Sequence, residues 1–562
     1  ERLVLGVARG MAHTILLLFS QLSLVSSAVR WSGSLGPTSV RIAAEPASST
    51  GLLLVSQHAS LSPPLASFQV TSDKFVVEVS NLTSDSLYFY GFDASDVASF
   101  RTSSLEHKPL RIAFASCAWT GSRSKIFSRI AQLNPPPLVF IQAGDLHYQN
   151  IAEDSLARFE DAYHKVHSSP TQRELFSKMP IIYIWDDHDF GGNNAIGTSK
   201  SKPAALAAYR KFVPAKLAEE ADGGAAGIFQ AYSLNGVRVL VMDLRSQSTP
   251  AHGSTLGLQQ RQWLLQQLAS WRDYRLLLLV SSKPWLGVQG QDDWSGYAEE
   301  RQLISDAIAE LGVRNLVMVA GDAHMLAADD GSNTDFSTLS GAARGNASLR
   351  AGFPIFQAAP LSQLGSSKSG PYSHGCFAYR YFVNHQFGVM DVDGGDASSL
   401  CVRLRGYRDD KEAAEIEMKV CADSEHGLMK KGTRTSLSAS QCSIPLAPPE
   451  LVGTLLAGII LEGLLLLLQL FLCFTGRMNC CWECFASLQS LLLLFRRAPT
   501  SHPEVNFNEL EDVQVEEKAT QRRQQAKMCA LVFLVQLAAV ILIVVPVIIM
   551  AAPHFFEAKR YA

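Results

Sequence analysis

Four short stretches place potential metal ligands directly after apolar runs: Ser116-Cys117 after Arg111 to Ala115, and Gly144-Asp145-Leu146-His147-Tyr148 after Leu138 to Gln142. Asp186-Asp187-His188-Asp189 follows Ile181 to Trp185, and Gly321-Asp322-Ala323-His324 follows Leu316 to Ala320. Carboxylate, imidazole, phenolate and thiolate are donors that hold a divalent or trivalent metal pair, and an aspartate between two cations bridges them at ~3.5 to 4 Å. One aspartate after one strand reads as a helix cap or a turn residue. Four such ends point to a shared crevice, because loops at the carboxyl ends of strands converge in α/β sheets.

The elements that must position these residues are legible as alternating patterns. Continuous apolar runs at 111–115, 138–142, 181–185, 237–242, 276–280 and 316–320 predict strands buried on both faces. Helical spacing predicts helices over 123–133, 156–178, 202–217, 258–271 and 299–311. Strand and helix alternate, so the fold class is α/β, with sheets flanked by helices. Ahead of it, short alternating runs at 39–42, 51–56, 68–70, 75–79 and 87–92 predict a small β-sandwich over residues 29–105, without a catalytic constellation of its own.

The ordered set Ala115-Ser116-Cys117, Gly144-Asp145-x-x-Tyr148, Trp185-Asp186-Asp187-His188-Asp189 with Asn193, and Gly321-Asp322-x-His324 resembles the PhoD-like branch of the calcineurin-like metallophosphoesterases. The resemblance covers roughly residues 29–404. It implies metallophosphoesterase-type layered β-sheets over residues 106–427 and an alkaline phosphatase D-like enzyme, a phosphodiesterase or phosphomonoesterase acting on phosphate esters. It also implies an iron and calcium pair, Fe3+ and Ca2+, with Cys117 and Tyr148 on the iron, Asp145 bridging, and Asp187 and Asn193 on the second metal. Asn194 rivals Asn193, and the division of Asp322 and His324 between the metals stays open. The expected mechanism is in-line attack on phosphorus by a two-metal-activated hydroxide. His188 is a candidate to contact phosphate or protonate the leaving oxygen, and His147 to bind phosphate or help choose the leaving group, each against a supporting role around the metals. Arg245, in Asp243-Leu244-Arg245, suits either a phosphate oxygen or a structural ion pair. Lys283 and Trp285 are candidates for the rim. The rival function is a non-catalytic, membrane-anchored receptor or binding module that retains a structural metal centre.

The chain of 562 residues is long enough for several domains, and its formal net charge of −3 does not call for nucleic acid as an obligatory partner. Oligomeric state is not legible. Residues 11–28 read as a signal peptide ending Ser26-Ser27-Ala28, or as an uncleaved anchor. A polar linker at 428–450 leads to two apolar segments, 451–474 and 529–552, each long enough to cross a bilayer as a helix. Basic residues at the membrane ends of the 475–528 loop put that loop in the cytosol, and the catalytic domain and the 553–562 tail in the lumen or outside the cell, at the plasma membrane or a secretory-pathway membrane. The sequons Asn81-Leu82-Thr83 and Asn346-Ala347-Ser348 fit a glycoprotein. The outer region holds five cysteines: Cys376, Cys401, Cys421 and Cys442 can form two disulfides in any of three connectivities, which leaves Cys117 as a thiol for metal.

Overall fold

A computed structural model describes residues 29–218, 227–288, 290–339, 349–366, 368, 370–380, 382–430 and 442–443. The signal peptide, both expected membrane helices, the cytosolic loop, the tail, Asn346 and most of the linker lie outside the described residues. Among the described residues no helix is long and apolar enough to cross a membrane.

The first seven strands form two antiparallel sheets. β1 (Arg30–Gly33), β2 (Val40–Ala44) and β5 (Val76–Val79) make one; β3 (Thr50–Ser56), β4 (Ala66–Thr71), β6 (Leu87–Gly91) and β7 (Ala98–Arg101) make the other, in the order β4-β3-β6-β7. Strand alternation turns Leu53 and Val55 inward while Leu52 stays exposed. β1 and β7 are not picked out by the sequence pattern. Trp31 of β1 is fully buried against His167, Phe176 and Tyr183, and its Nε1 donates to the Phe212 carbonyl at 2.8 Å. The hydrophobic core runs without a break from this sandwich into the larger sheets.

Two larger mixed sheets follow, giving a layered α/β architecture. In one, β8 (Leu110–Ala115), β9 (Val139–Ala143) and β10 (Ile181–Ile184) are parallel. An antiparallel meander of β20 (Gln386–Val392), β21 (Cys401–Arg408) and β22 (Ile416–Cys421) extends this sheet from β8. The other sheet runs β11-β12-β13-β14-β16-β15-β18-β23. Its strands are β11 (Gln230–Leu234), β12 (Val237–Val241), β13 (Leu276–Ser281), β14 (Leu316–Ala320), β15 (Leu326–Asp329), β16 (Ile355–Ala358), β18 (Cys376–Phe377) and β23 (Cys442–Ser443), with β12, β13, β14 and β16 parallel. A short ladder of β17 (Gln363–Leu364) and β19 (Val383–Asn384) lies apart from both. The large sheets meet where the Phe114 and Phe356 rings pack edge to face at 5.8 Å.

The helices differ from the sequence pattern where backbone chemistry intervenes. The expected helix over 156–178 is two, Leu156–Ser168 and Pro170–Phe176, because Ser169 leaves the helical region and its side chain caps the second helix, with Pro170 in its first turn. The helix Lys202–Phe212 ends at extended Val213, before Pro214, rather than at Leu217. One of the two expected disulfides is Cys401–Cys421, across neighbouring strands, and Cys376 is also disulfide-bonded.

His167, beneath Trp31, is fully buried with neither ring nitrogen hydrogen-bonded. Burial holds its pKa down at about 3, against an ordinary 6.5. The unfolded chain therefore binds a proton that the folded chain does not, so His167 removes stability as pH falls from about 6.5 towards 3 and has no such effect above that window. Replacing it, His167→Leu, should flatten the acid side of a plot of urea midpoint against pH, by up to about 1.4 kcal/mol per pH unit. A variant with the same acid slope as the parent would show that this ring does not set it.

Candidate metal centre

The carboxyl ends of β8, β9, β10 and β14 converge, and residues that follow β8, β9 and β14 adopt backbone conformations that L-amino acids seldom use. Cys117, Asp145, Asp322 and His324 have φ values of 64°, 53°, 65° and 47°. Left-handed backbone costs on the order of 1–3 kcal/mol per residue and persists where surrounding contacts over-determine it. Those contacts are visible. Cys117 N–H donates to the Gly144 carbonyl at 3.2 Å, Ala118 N–H to the Asp145 carbonyl at 2.9 Å, and Asp322 N–H to Ser116 Oγ at 3.1 Å. The Asp189 carboxylate collects the N–H groups of Leu146, His147 and Asp186 at 2.8 to 3.2 Å, tying the β9 turn to the β10 turn. A Cβ on Gly321 would lie 2.2 Å from the Ala143 carbonyl oxygen, so this close approach of the two sheets needs a glycine.

Three groups of ligand atoms, each within 4.8 Å of one another, result: Cys117 with Asp145 and His324; Asp145 with Asp187 and His188; and Asp145 with Asp186, Asp187 and Asp322. Asp145 belongs to all three. Cys117 Sγ is 3.5 Å from Asp145 Oδ2, and Tyr148 Oη is 3.0 Å from His324 Nε2, whose other nitrogen meets the Leu364 carbonyl at 2.6 Å.

The electrostatics of this cluster call for cations. Burial, then Asp187 and the neighbouring carboxylates, raises the Asp145 pKa well above the usual range; burial lifts Asp322 to about 8. Burial and then Asp145 raise Cys117 and Tyr148 as well. Asp145 Oδ1, Asp322 Oδ2 and Asn194 Oδ1 are buried without a hydrogen-bond donor. Buried acceptors of this kind are expensive unless charge or hydrogen bonds compensate them. A donor set of thiol, phenol, imidazole and carboxylates with free lone pairs fits bound metal.

Most residues singled out by the sequence meet here, and the exceptions are informative. Asn193 is exposed, whereas Asn194 is turned inward, with φ of 60° and its N–H 2.6 Å from Asp187 Oδ2. Asn194 replaces Asn193 as the candidate ligand. The His147 ring is 1% exposed, packed against Phe159 and Tyr163 with Nδ1 3.8 Å from Asp189 Oδ1 and not hydrogen-bonded, and burial holds its pKa at about 3. A phosphate-binding role for His147 is therefore set aside in favour of packing beneath the turn. Arg245 is buried in ion pairs with Asp186 at 2.5 Å and Asp187 at 3.4 Å, which answers the choice left open by sequence in favour of a structural ion pair. Lys283 and Trp285 are buried rather than at a rim: Lys283 Nζ donates to the Gln291 carbonyl at 3.0 Å, and Trp285 packs against Trp294. His188 stacks on Tyr148 at 4.0 Å, its Nδ1 held by Asn150 Oδ1 at 2.5 Å.

Sequence reading missed Lys368 and Asp292. Lys368 Nζ lies 3.2 Å from Asp322 Oδ1 and 3.1 Å from Asp292 Oδ2, and Asp292 in turn is 3.8 Å from Arg245. Neither follows a strand in the four-ended pattern; only the return of the chain after β17 brings Lys368 to the cluster.

Residues 112–346 match the model of the PhoD-like phosphatase family. Among solved structures, that of PhoD is similar at 16% identity over 75% of this chain and 95% of that one, with a TM-score of 0.56, so the fold is shared. Purple acid phosphatase PPD1 from yellow lupin (Lupinus luteus) seeds follows at 11% identity, over 74% and 77% of the two chains, with a TM-score of 0.46. GAP50, the anchor in the inner membrane complex of Plasmodium, has 13% identity over 58% and 90%, with a TM-score of 0.33. No curated protein matches the sequence.

Elemental analysis of purified protein separates the candidate ligands. Asp145→Ala should lose metal at both positions, Asn194→Ala should lose one equivalent or bind it at least about tenfold more weakly, and Asn193→Ala should keep the parental content. Equal losses from the two asparagine variants would overturn the preference for Asn194.

Proposed function

We propose that this chain, which matches the PhoD-like phosphatase family through residues 112–346, is a phosphoesterase that hydrolyses phosphate esters with two unlike metal ions that Asp145 and its neighbours would hold. The observation that carries this reading is the membership of Asp145 in every ligand group of the cluster. On one side the donors are sulfur, nitrogen and phenol oxygen, from Cys117, His324 and Tyr148, which suits Fe3+. On the other they are mainly oxygen, from Asp187, Asn194 and Asp322, with His188 beside Asp145 and Asp187, which suits a hard cation such as Ca2+. This grouping assigns His324 to the first metal and Asp322 to the second. When bound, such a pair supplies an activated nucleophile at neutral pH and neutralises the charge that develops on the phosphoryl oxygens.

The protein's own groups then divide the remaining work. With Asn150 Oδ1 accepting from Nδ1, the neutral His188 imidazole presents Nε2 as a lone pair, and burial keeps its basicity low despite Asp187 and Asp186. His188 is thus suited to accept a proton or to bind a cation, more than to protonate a leaving oxygen. Lys368 places an ammonium at the mouth of the cluster, where it attracts the ester phosphate. Arg245 keeps Asp186 and Asp187 in place by charge pairing from behind.

We place the catalytic domain in the lumen or outside the cell, anchored by the apolar segments 451–474 and 529–552. Disulfide-bonded Cys376, Cys401 and Cys421 support an oxidising compartment. Solubilised full-length protein should hydrolyse a panel of aryl phosphate mono- and diesters. Turnover should stop when calcium is chelated, return when calcium is restored, and leave bound iron unchanged throughout. Asp145→Ala should reduce turnover to background, and His188→Ala should lower kcat by about 10²- to 10⁴-fold. Undiminished hydrolysis by Asp145→Ala would refute the assignment.

A further inference from the structure

One side of the metal cluster is an aromatic wall that continues to the surface. His188 stacks on Tyr148 with ring centroids 4.0 Å apart, and Trp119 lies beyond Tyr148 at 5.7 Å, its plane tilted by 49°. Trp119 stands two residues after Cys117, and its N–H is fixed to Ser362 Oγ at 3.0 Å, so its backbone is held while half of the residue (50%) is exposed. Leu364, whose carbonyl meets His324, and Val383, opposite it in the β17–β19 ladder, are 49% and 48% exposed. Trp119 is thus an exposed aromatic face that adjoins Tyr148 of the cluster, and Leu364 lies by its carbonyl next to His324.

We propose that Trp119 is a subsite that stacks a flat, apolar group esterified to the phosphate. This rests on the catalytic reading above, which puts the phosphoryl group over Asp145. An ester bound there on the Tyr148 side directs its alcohol portion along the aromatic wall towards Trp119. The held backbone and the two-angle side chain make the platform preorganised, so little ordering entropy is lost when a ring lies on it. A planar group matches an indole face better than a flexible chain does, because stacking needs no folding of the ligand.

The test compares methyl-, phenyl- and hexylphosphonate, which cannot be hydrolysed, as competitive inhibitors of full-length, metal-replete protein. Phenylphosphonate should bind about tenfold more tightly than methylphosphonate, in the range of single-ring stacking on an aromatic side chain. Trp119→Ala should erase that ratio while shifting the methylphosphonate constant less than about twofold, and Trp119→Phe should restore most of it. Three results would overturn the subsite: equal affinity for the methyl and phenyl compounds, equal weakening of both in Trp119→Ala, or hexylphosphonate binding as tightly as phenylphosphonate. Loss of all ester turnover in the parent protein, with no binding of methylphosphonate, would instead remove the catalytic reading on which the subsite rests.

Discussion

The structure depends on holding several carboxylates together out of water. Asp145, Asp186, Asp187 and Asp322 bring oxygen atoms within 4.8 Å of one another, and all four are buried. At such a separation two like charges repel by about 3.5 kcal/mol even at a generous effective dielectric of 20. Arg245 and Lys368 offset part of this, Arg245 holding Asp186 ionised against the upward push of burial. The remainder appears as raised proton affinity on Asp145 and Asp322. Cations relieve it more effectively than protons, since a proton neutralises one oxygen and a bridging metal serves several. A metal bound here would therefore stabilise the fold of these loops.

This constraint explains why the neighbouring backbone is so tightly specified. Four strand ends must deliver side chains to one point: left-handed residues at Cys117, Asp145, Asp322 and His324 turn three of them there, and a short helix from Asp187 follows the fourth. The cost is offset by packing that only particular residues permit: Gly144, where a Cβ would meet Asp186 at 2.8 Å, and Gly321 against the Ala143 carbonyl. Asp189 belongs to the same arrangement. It binds no candidate metal group, yet its carboxylate joins two of the turns through three backbone N–H groups.

Much of this was legible in the sequence, and what was not has physical reasons. The strand ends were visible because doubly buried strands are continuous apolar runs, and ligand types after four of them are hard to produce by accident. Asn193 and Asn194 could not be separated, since adjacent residues in a turn point in opposite directions and the choice depends on a single φ angle. His147 misled because a histidine inside a ligand motif has no sequence mark that it packs on Phe159 and Tyr163 instead. Periodicity ran straight through Ser169, where a proline and a cap end one helix and begin another. The meander β20 to β22 and Lys368 were missed for a common reason: both are placed by antiparallel return of the chain, and local pattern does not encode which strand a later segment will join.

Cys117 differs in state from the disulfide-bonded cysteines. Burial and the nearby carboxylates raise its pKa, so without a cation it would remain a protonated, poorly nucleophilic thiol. Cys401 and Cys421 face each other across paired strands and are joined, whereas Cys117 is the free cysteine among the described residues. A free thiol persists among disulfides when no partner sulfur can approach it or when a metal holds it as thiolate. Burial provides the first condition, and proximity to Asp145 and His324 provides the ligands for the second. The same side chain therefore meets two demands: it stays buried away from other sulfurs, and it offers a soft donor beside Asp145 and His324.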